Sequence, residues 1–151
     1  MIVSVSVMTS MSASKGTNPL FLKTYIDGVD QMLFHQMCYC SLDLFDEREI
    51  SIKATGQGAK TQDTYLGILI YSHEYKLAGY LTSSGVRIAI VFDDSDSKDV
   101  SLVRSLMKKI HALYADCVSN PFYQSGQCLN SLKFEGGVES LVKLWNTDSF
   151  R

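Results

Sequence analysis

YLGILIYSHEYKLAGYLTSSGVRIAIVFD, residues 65–93, decides the fold. It contains three apolar runs, residues 65–71, 75–82 and 86–92, separated by Ser72-His73-Glu74 and Ser83-Ser84-Gly85. Each run is rich in Ile, Val, Tyr and Leu, and is too short for a typical helix but the right length for a strand. The three-residue linkers suit hairpin loops. The stretch therefore predicts a three-strand antiparallel meander, and the rest of the chain must cover its faces or extend its edges.

Upstream, IVSVSVM after Met1 alternates valine with serine and predicts a strand over residues 2–9. The small polar segment at 10–18 reads as a loop. PLFLKTY, residues 19–25, reads as a second strand, with Pro19 tolerable at its start. Residues 29–52 predict a long helix. At about 100° per residue, Val29, Met32, Leu33, Met37, Cys40 and Leu44 share one face, and Phe34, Cys38, Leu42 and Phe45 share roughly the opposite one. A helix apolar on two sides needs two coverings. One is the sheet; the other is either the rest of the domain or a partner protein, and the pattern leaves both open.

Residues 53–63 read as a flexible connector into the meander. A second helix is expected over 99–118, with Val103, Leu106, Met107, Ile110 and Leu113 inward and Arg104, Lys108 and Lys109 outward. Ser97 is its expected N-cap, with Asp99 in the first turn. Asn120-Pro121 ends it, because the residue before proline is pushed out of the helical region. A last helix is expected within 127–145, with Phe134, Val138, Leu141 and Trp145 on one face, and the tail from Asn146 is expected to fray. The element order implies one domain over 1–151, a five-stranded antiparallel sheet with one helix on one face and two on the other.

Composition narrows the functional classes. With 14 basic and 16 acidic residues and a net charge of −2, nothing suggests a nucleic-acid surface or a polybasic membrane patch. The N-terminal residues lack the basic start of a signal peptide, and no apolar run approaches the roughly 20 residues of a membrane span. A cytosolic protein is expected. Cys38, Cys40, Cys117 and Cys128 lack knuckle spacing for zinc and read as buried free thiols.

No catalytic pattern emerges. His35, His73 and His111 have no nucleophile context, and neither GxSxG nor a phosphate-binding glycine loop occurs. Asp94 and Asp96 share the spacing of a calcium loop, but its glycine and its closing glutamate are missing. The acidic cluster Asp43, Asp46, Glu47 and Glu49 reads as a solvated helical face rather than a metal site. Within it, Asp43 lies beside the apolar face that carries Met32, where a carboxylate is expected to meet a helix end, a loop amide or a partner. No cofactor, metal or catalytic residue is assigned.

Two strings then carry a resemblance: SLDLFDE at residues 41–47 and NPFY at 120–123 followed by Gly126. With YLGILIYS, EYKLAGYLT and VRIAIVFD between them, they resemble the sedlin family of TRAPP (transport protein particle) subunits, its subunit 2-like branch most closely. The similarity runs from about Ile2 to about Leu141; loops 10–18 and 53–63 and the last helix match loosely.

The resemblance implies a longin-like, profilin-type sandwich. It implies a non-enzymatic subunit of a vesicle-tethering complex, cytoplasmic and peripheral to endoplasmic reticulum and Golgi membranes. Its partners would be other TRAPP subunits and, through the assembled complex, a Rab GTPase. It places Asp43 near a subunit interface and gives Asn120, Pro121, Phe122 and Tyr123 a structural role, with both aromatics anchoring the turn between the last two helices. Phe34, Leu42 and Phe45 are the matching contact candidates on the first helix, and a weak homodimer through that helix is left open. A longin SNARE or adaptor-like module and a ligand-sensing profilin-like domain are the alternatives. The first would carry heptads and a membrane anchor, which residues 1–151 lack.

Overall fold

The computed structural model describes residues 1–9, 19–28, 31–55 and 64–150. The expected 10–18 loop, the start of the first helix at Val29, most of the 53–63 connector and Arg151 lie outside them. The elements run β1 (Ile2–Thr9), β2 (Phe21–Thr24), α1 (Gln31–Ala54), β3 (Thr64–Tyr71), β4 (Tyr75–Leu81), β5 (Val86–Asp93), α2 (Val100–Val118) and α3 (Leu132–Asn146). The strands form one antiparallel sheet in the order β2-β1-β5-β4-β3. The meander is present as expected. Its first loop closes through the Ser72 amide on the Tyr75 carbonyl at 2.8 Å, and its second through the Thr82 amide on the Val86 carbonyl at 2.9 Å.

Side chains alternate between two cores. Val5, Val7, Ile88, Ile90 and Tyr80 face α2 and α3, where Leu106, Ile110, Phe134, Val138 and Trp145 meet them. Val3, Leu77, Ala89 and Val91 face α1, where Phe34, Met37, Cys38, Leu42 and Phe45 meet them. This is a longin-like α+β sandwich with one helix on one face and two on the other. The serines of β1 do not mark a solvent face. Ser4 and Ser6 are buried, because β1 is an inner strand with helices over both faces. Ser6 is satisfied there: its hydroxyl donates to the Ala89 carbonyl at 3.2 Å and accepts from the Cys38 thiol at 3.2 Å. The small residues let α1 lie close. Gly79 does the same on β4, where a Cβ would stand 2.9 Å from the tip of the Phe45 ring and 2.4 Å from Leu69 Cδ1.

Several local expectations are corrected. The N-cap of α2 is Asp99 rather than Ser97. Residues 127–131 precede α3, which starts at Leu132 behind Ser131, whose hydroxyl accepts from the Phe134 amide at 3.4 Å. The Leu129 amide instead donates to the Leu20 carbonyl at 2.8 Å, so that segment lies along the sheet edge. The tail does not fray. Phe150 is buried against Trp145, ring centroids 5.3 Å apart, with the Lys109 ammonium 4.2 Å from its ring centre. Of the four thiols only Cys38 is buried, while Cys40 and Cys128 are exposed.

Candidate protein interface

The buried side of α1 follows one regular series: Phe34, Met37, Cys38, Ser41, Leu42 and Phe45. Steps of three and four residues keep these on one stripe, and that stripe lies on the sheet. Phe34, Leu42 and Phe45, offered above as partner contacts, are therefore core residues. The two aromatics and Leu42 have the larger apolar surface to remove from water, so they take the sheet side. Burial pushes the Cys38 thiol above its ordinary pKa, which leaves it a small apolar residue there.

A charged contact locks the C-terminal half of the helix. Arg87 projects from β5 into the α1 core and is 0% exposed. Its guanidinium pairs with Asp46 and, at 3.3 Å, with Glu49. It also donates to the Leu42 carbonyl at 3.4 Å and lies 5.7 Å from the centre of the Phe45 ring. Two members of the acidic cluster are thus counter-ions of a buried cation rather than a solvated face. A hydrogen bond from Lys53 and, further, the Arg87 contact hold the Glu49 carboxyl below its usual range. The sequence hides this site, because Arg87 sits next to the hairpin loop at the start of β5, where a charge reads as solvated, and its partners lie about forty positions upstream.

The opposite side of α1 faces water. Met32, Gln36, Tyr39, Asp43, Glu47 and Ile50 lie within about 40° of the Asp43 direction at 100° per residue. Met32 is 69% and Ile50 67% exposed, and Tyr39 and Asp43 are exposed between them. Among the described residues no hydrogen bond or ion pair holds the Asp43 carboxylate. The outer stripe thus mixes three exposed apolar side chains, Met32, Tyr39 and Ile50, with Gln36 and the carboxylates of Asp43 and Glu47, an amphipathic surface suited to a protein partner.

The 120–123 turn joins α2 to the segment before α3. The Asn120 side-chain oxygen accepts from the Phe122 amide at 3.1 Å, and its carbonyl accepts from the Tyr123 amide at 2.9 Å. The Tyr123 hydroxyl donates to the Gln127 carbonyl at 2.9 Å, and its ring packs on the α2–α3 core. Burial raises the pKa of that phenol. Tyr123 is thus tied both to the turn and to the core behind it. Phe122 is instead 90% exposed, at the rim of a groove of about 490 Å³ lined also by Leu113, Cys117 and Phe134.

A family model described as Sedlin matches residues 12–144. The chain belongs to the sedlin family. Similar proteins are the trafficking protein particle complex subunit 2-like proteins of Bos taurus and Dictyostelium discoideum. The first is 36% identical over 132 residues, covering 85% of this chain and 91% of the relative. The second is 34% identical over 132 residues, covering 85% and 90%. Trafficking protein particle complex subunit 20 of Saccharomyces cerevisiae is 25% identical over 87 residues, covering 55% of this chain and 50% of the relative.

This sedlin-family chain has a second polar centre that sequence reasoning missed. Asp96, set beside a calcium-like spacing above, points its carboxylate inward. Trp145 Nε1 and the Met1 ammonium each donate to one of its oxygens at 2.8 Å, and the Lys98 amide to the other at 3.2 Å. Burial pushes its pKa up, but these donors outweigh burial and hold it below the ordinary range. The contact ties the β5–α2 loop to the end of α3. Among the described residues no group of three or more metal-ligating side chains gathers, and no helix is long and apolar enough to cross a membrane.

Proposed function

We propose that this chain is a subunit of a trafficking protein particle complex and works by binding neighbouring subunits rather than by catalysis. The observation that carries the reading is similarity along 85% of the chain to proteins that bear that name. In this reading residues 1–151 act as one longin-like domain on the cytoplasmic side of endoplasmic reticulum and Golgi membranes, supporting assembly of the complex. A Rab GTPase is engaged only through the whole assembly. The docking face is the outer stripe of α1, with Asp43 as its polar contact and Met32, Tyr39 and Ile50 as its apolar ones. This moves the apolar contacts from Phe34, Leu42 and Phe45 to the exposed side of the same helix, because those three are occupied in the core. The 120–123 turn keeps a structural role through Asn120, Pro121 and Tyr123.

The test is to isolate the tagged chain from its own cells and identify what accompanies it. Other subunits of the complex should be recovered with the wild type. Asp43→Tyr should reduce that recovery severalfold while changing unfolding free energy by no more than about 0.5 kcal/mol, as for other exposed substitutions. Ile50→Asp should act in the same way. Absence of such subunits would remove the assignment to the complex, and undiminished recovery with both variants would remove the α1 face.

A further inference from the structure

We propose that the outer edge of β2, which pairs with no further strand among the described residues, is a second docking site, one that takes a short extended segment of a partner protein as an added strand. The argument starts from ladder geometry. Residues along an antiparallel strand point their backbone N–H and C=O alternately to one neighbour and to the other. The Tyr25 amide donates inward to the Val3 carbonyl at 2.8 Å, and Lys23 and Phe21 share that phase. Leu20, Leu22 and Thr24 therefore aim their backbone groups outward. Leu20 confirms this, because its carbonyl takes the Leu129 amide. The residue just before β2 thus already takes one backbone hydrogen bond on this side, from the segment that precedes α3. Among the described residues nothing bonds the outward groups of Leu22 and Thr24.

The surroundings suit that occupant. A groove of about 650 Å³ runs along the edge between α1, the 128–130 segment and α3. Its α1 side is lined by Leu22, His35 and Tyr39, which favours an aliphatic side chain there. Its α3 side carries the partly exposed Lys23–Glu135 ion pair, 2.6 Å apart, which favours a polar side chain on the other face of the added strand. Alternation of this kind is what an added strand presents. β2 spans about 13 Å at 3.3 Å per residue, enough for a short linear segment and too little for open-ended sheet growth.

The other edge of the sheet is built differently. β3 is longer, but its register shifts between Tyr65 and Gly67 and again between Ile68 and Ile70, and Gly67 has φ +82°. Bulges of this kind twist an edge away from regular pairing. β2 has no register shift against β1.

The site does not depend on assignment to the complex, so its test uses the isolated full chain and a phage-displayed library of random short peptides. Enriched peptides should alternate aliphatic and polar residues and should slow hydrogen exchange of the Leu22 and Thr24 amides. Thr24→Pro deletes one outward N–H while leaving the β1 ladder intact, a position where an edge strand tolerates proline. It should weaken binding about tenfold or more. Exchange on the wild-type chain gives a second readout if the variant does not fold. Three results would overturn the proposal: no enriched peptide, peptides that protect other amides and bind Thr24→Pro equally well, or self-association of the chain through β2 that peptides do not displace.

Discussion

Consider two variants of the α1 clamp, Arg87→Met alone and Asp46→Asn combined with Glu49→Gln. Both break the same ion pairs, yet their costs should differ severalfold. Arg87 is 0% exposed, whereas the side chains of Asp46 and Glu49 are 47% and 28% exposed. Without the guanidinium the two carboxylates turn to water. What is lost is two partly solvated pairs, about 0–1 kcal/mol each, and a cation–π contact of about 0.5–1 kcal/mol. Offsetting this, Met fills a similar space and removes a buried charge together with its Nε, which has no hydrogen-bond partner among the described residues. An unmet buried donor costs about 1–3 kcal/mol. Arg87→Met should therefore lie within about 1.5 kcal/mol of wild type. The double carboxylate variant leaves a full charge buried against Phe45 with no counter-ion and should lose about 3–5 kcal/mol. Urea unfolding at neutral pH reads both from the shift in midpoint, provided the slope is unchanged. The triple variant should regain most of the loss, because the uncompensated charge is gone. Equal costs, or a larger cost for Arg87→Met, would refute the argument that burial of the cation sets the energetics here.

Three further outcomes follow from the packing and the polar centres. Phe45→Ala should cost about 3–5 kcal/mol of unfolding free energy, since the ring is fully buried between α1 and the sheet; an unchanged midpoint would return Phe45 to the surface. Phe150→Ala should cost about 2–3 kcal/mol, less than Phe45 because the chain end can relax; thermal or urea unfolding would show it. Asp96 has a folded pKa below its unfolded one, so the unfolded chain takes up the proton first. Its stabilisation is complete above about pH 4 and is lost as pH falls through the folded value. Comparing unfolding of wild type and Asp96→Asn across that window should show the wild-type advantage shrinking with acid, and a constant difference would contradict it.

The sequence by itself determined the strands, the helices and the layer order. Short β-branched runs and three-residue linkers specify a meander locally, and three- and four-residue apolar spacing specifies α2 and α3. It also carried the family, because SLDLFDE and NPFY stand in a fixed order around that meander. Which side of α1 faces the sheet was not legible. Both stripes are apolar, and the choice depends on what β1, β4 and β5 present: small Ser4, Ser6 and Gly79 opposite bulky Phe34, Leu42 and Phe45. The same holds for Asp46, Glu49 and Asp96, which look like surface carboxylates until Arg87, Trp145 and the N-terminus arrive from distant positions. The fate of Phe150 is similar, since a terminal aromatic reads as loose until α2 and Trp145 form a place for it. Local periodicity records what a segment prefers to be. Burial, counter-ions and free edges belong to pairs of segments far apart in the chain, so only the assembled sandwich decides them.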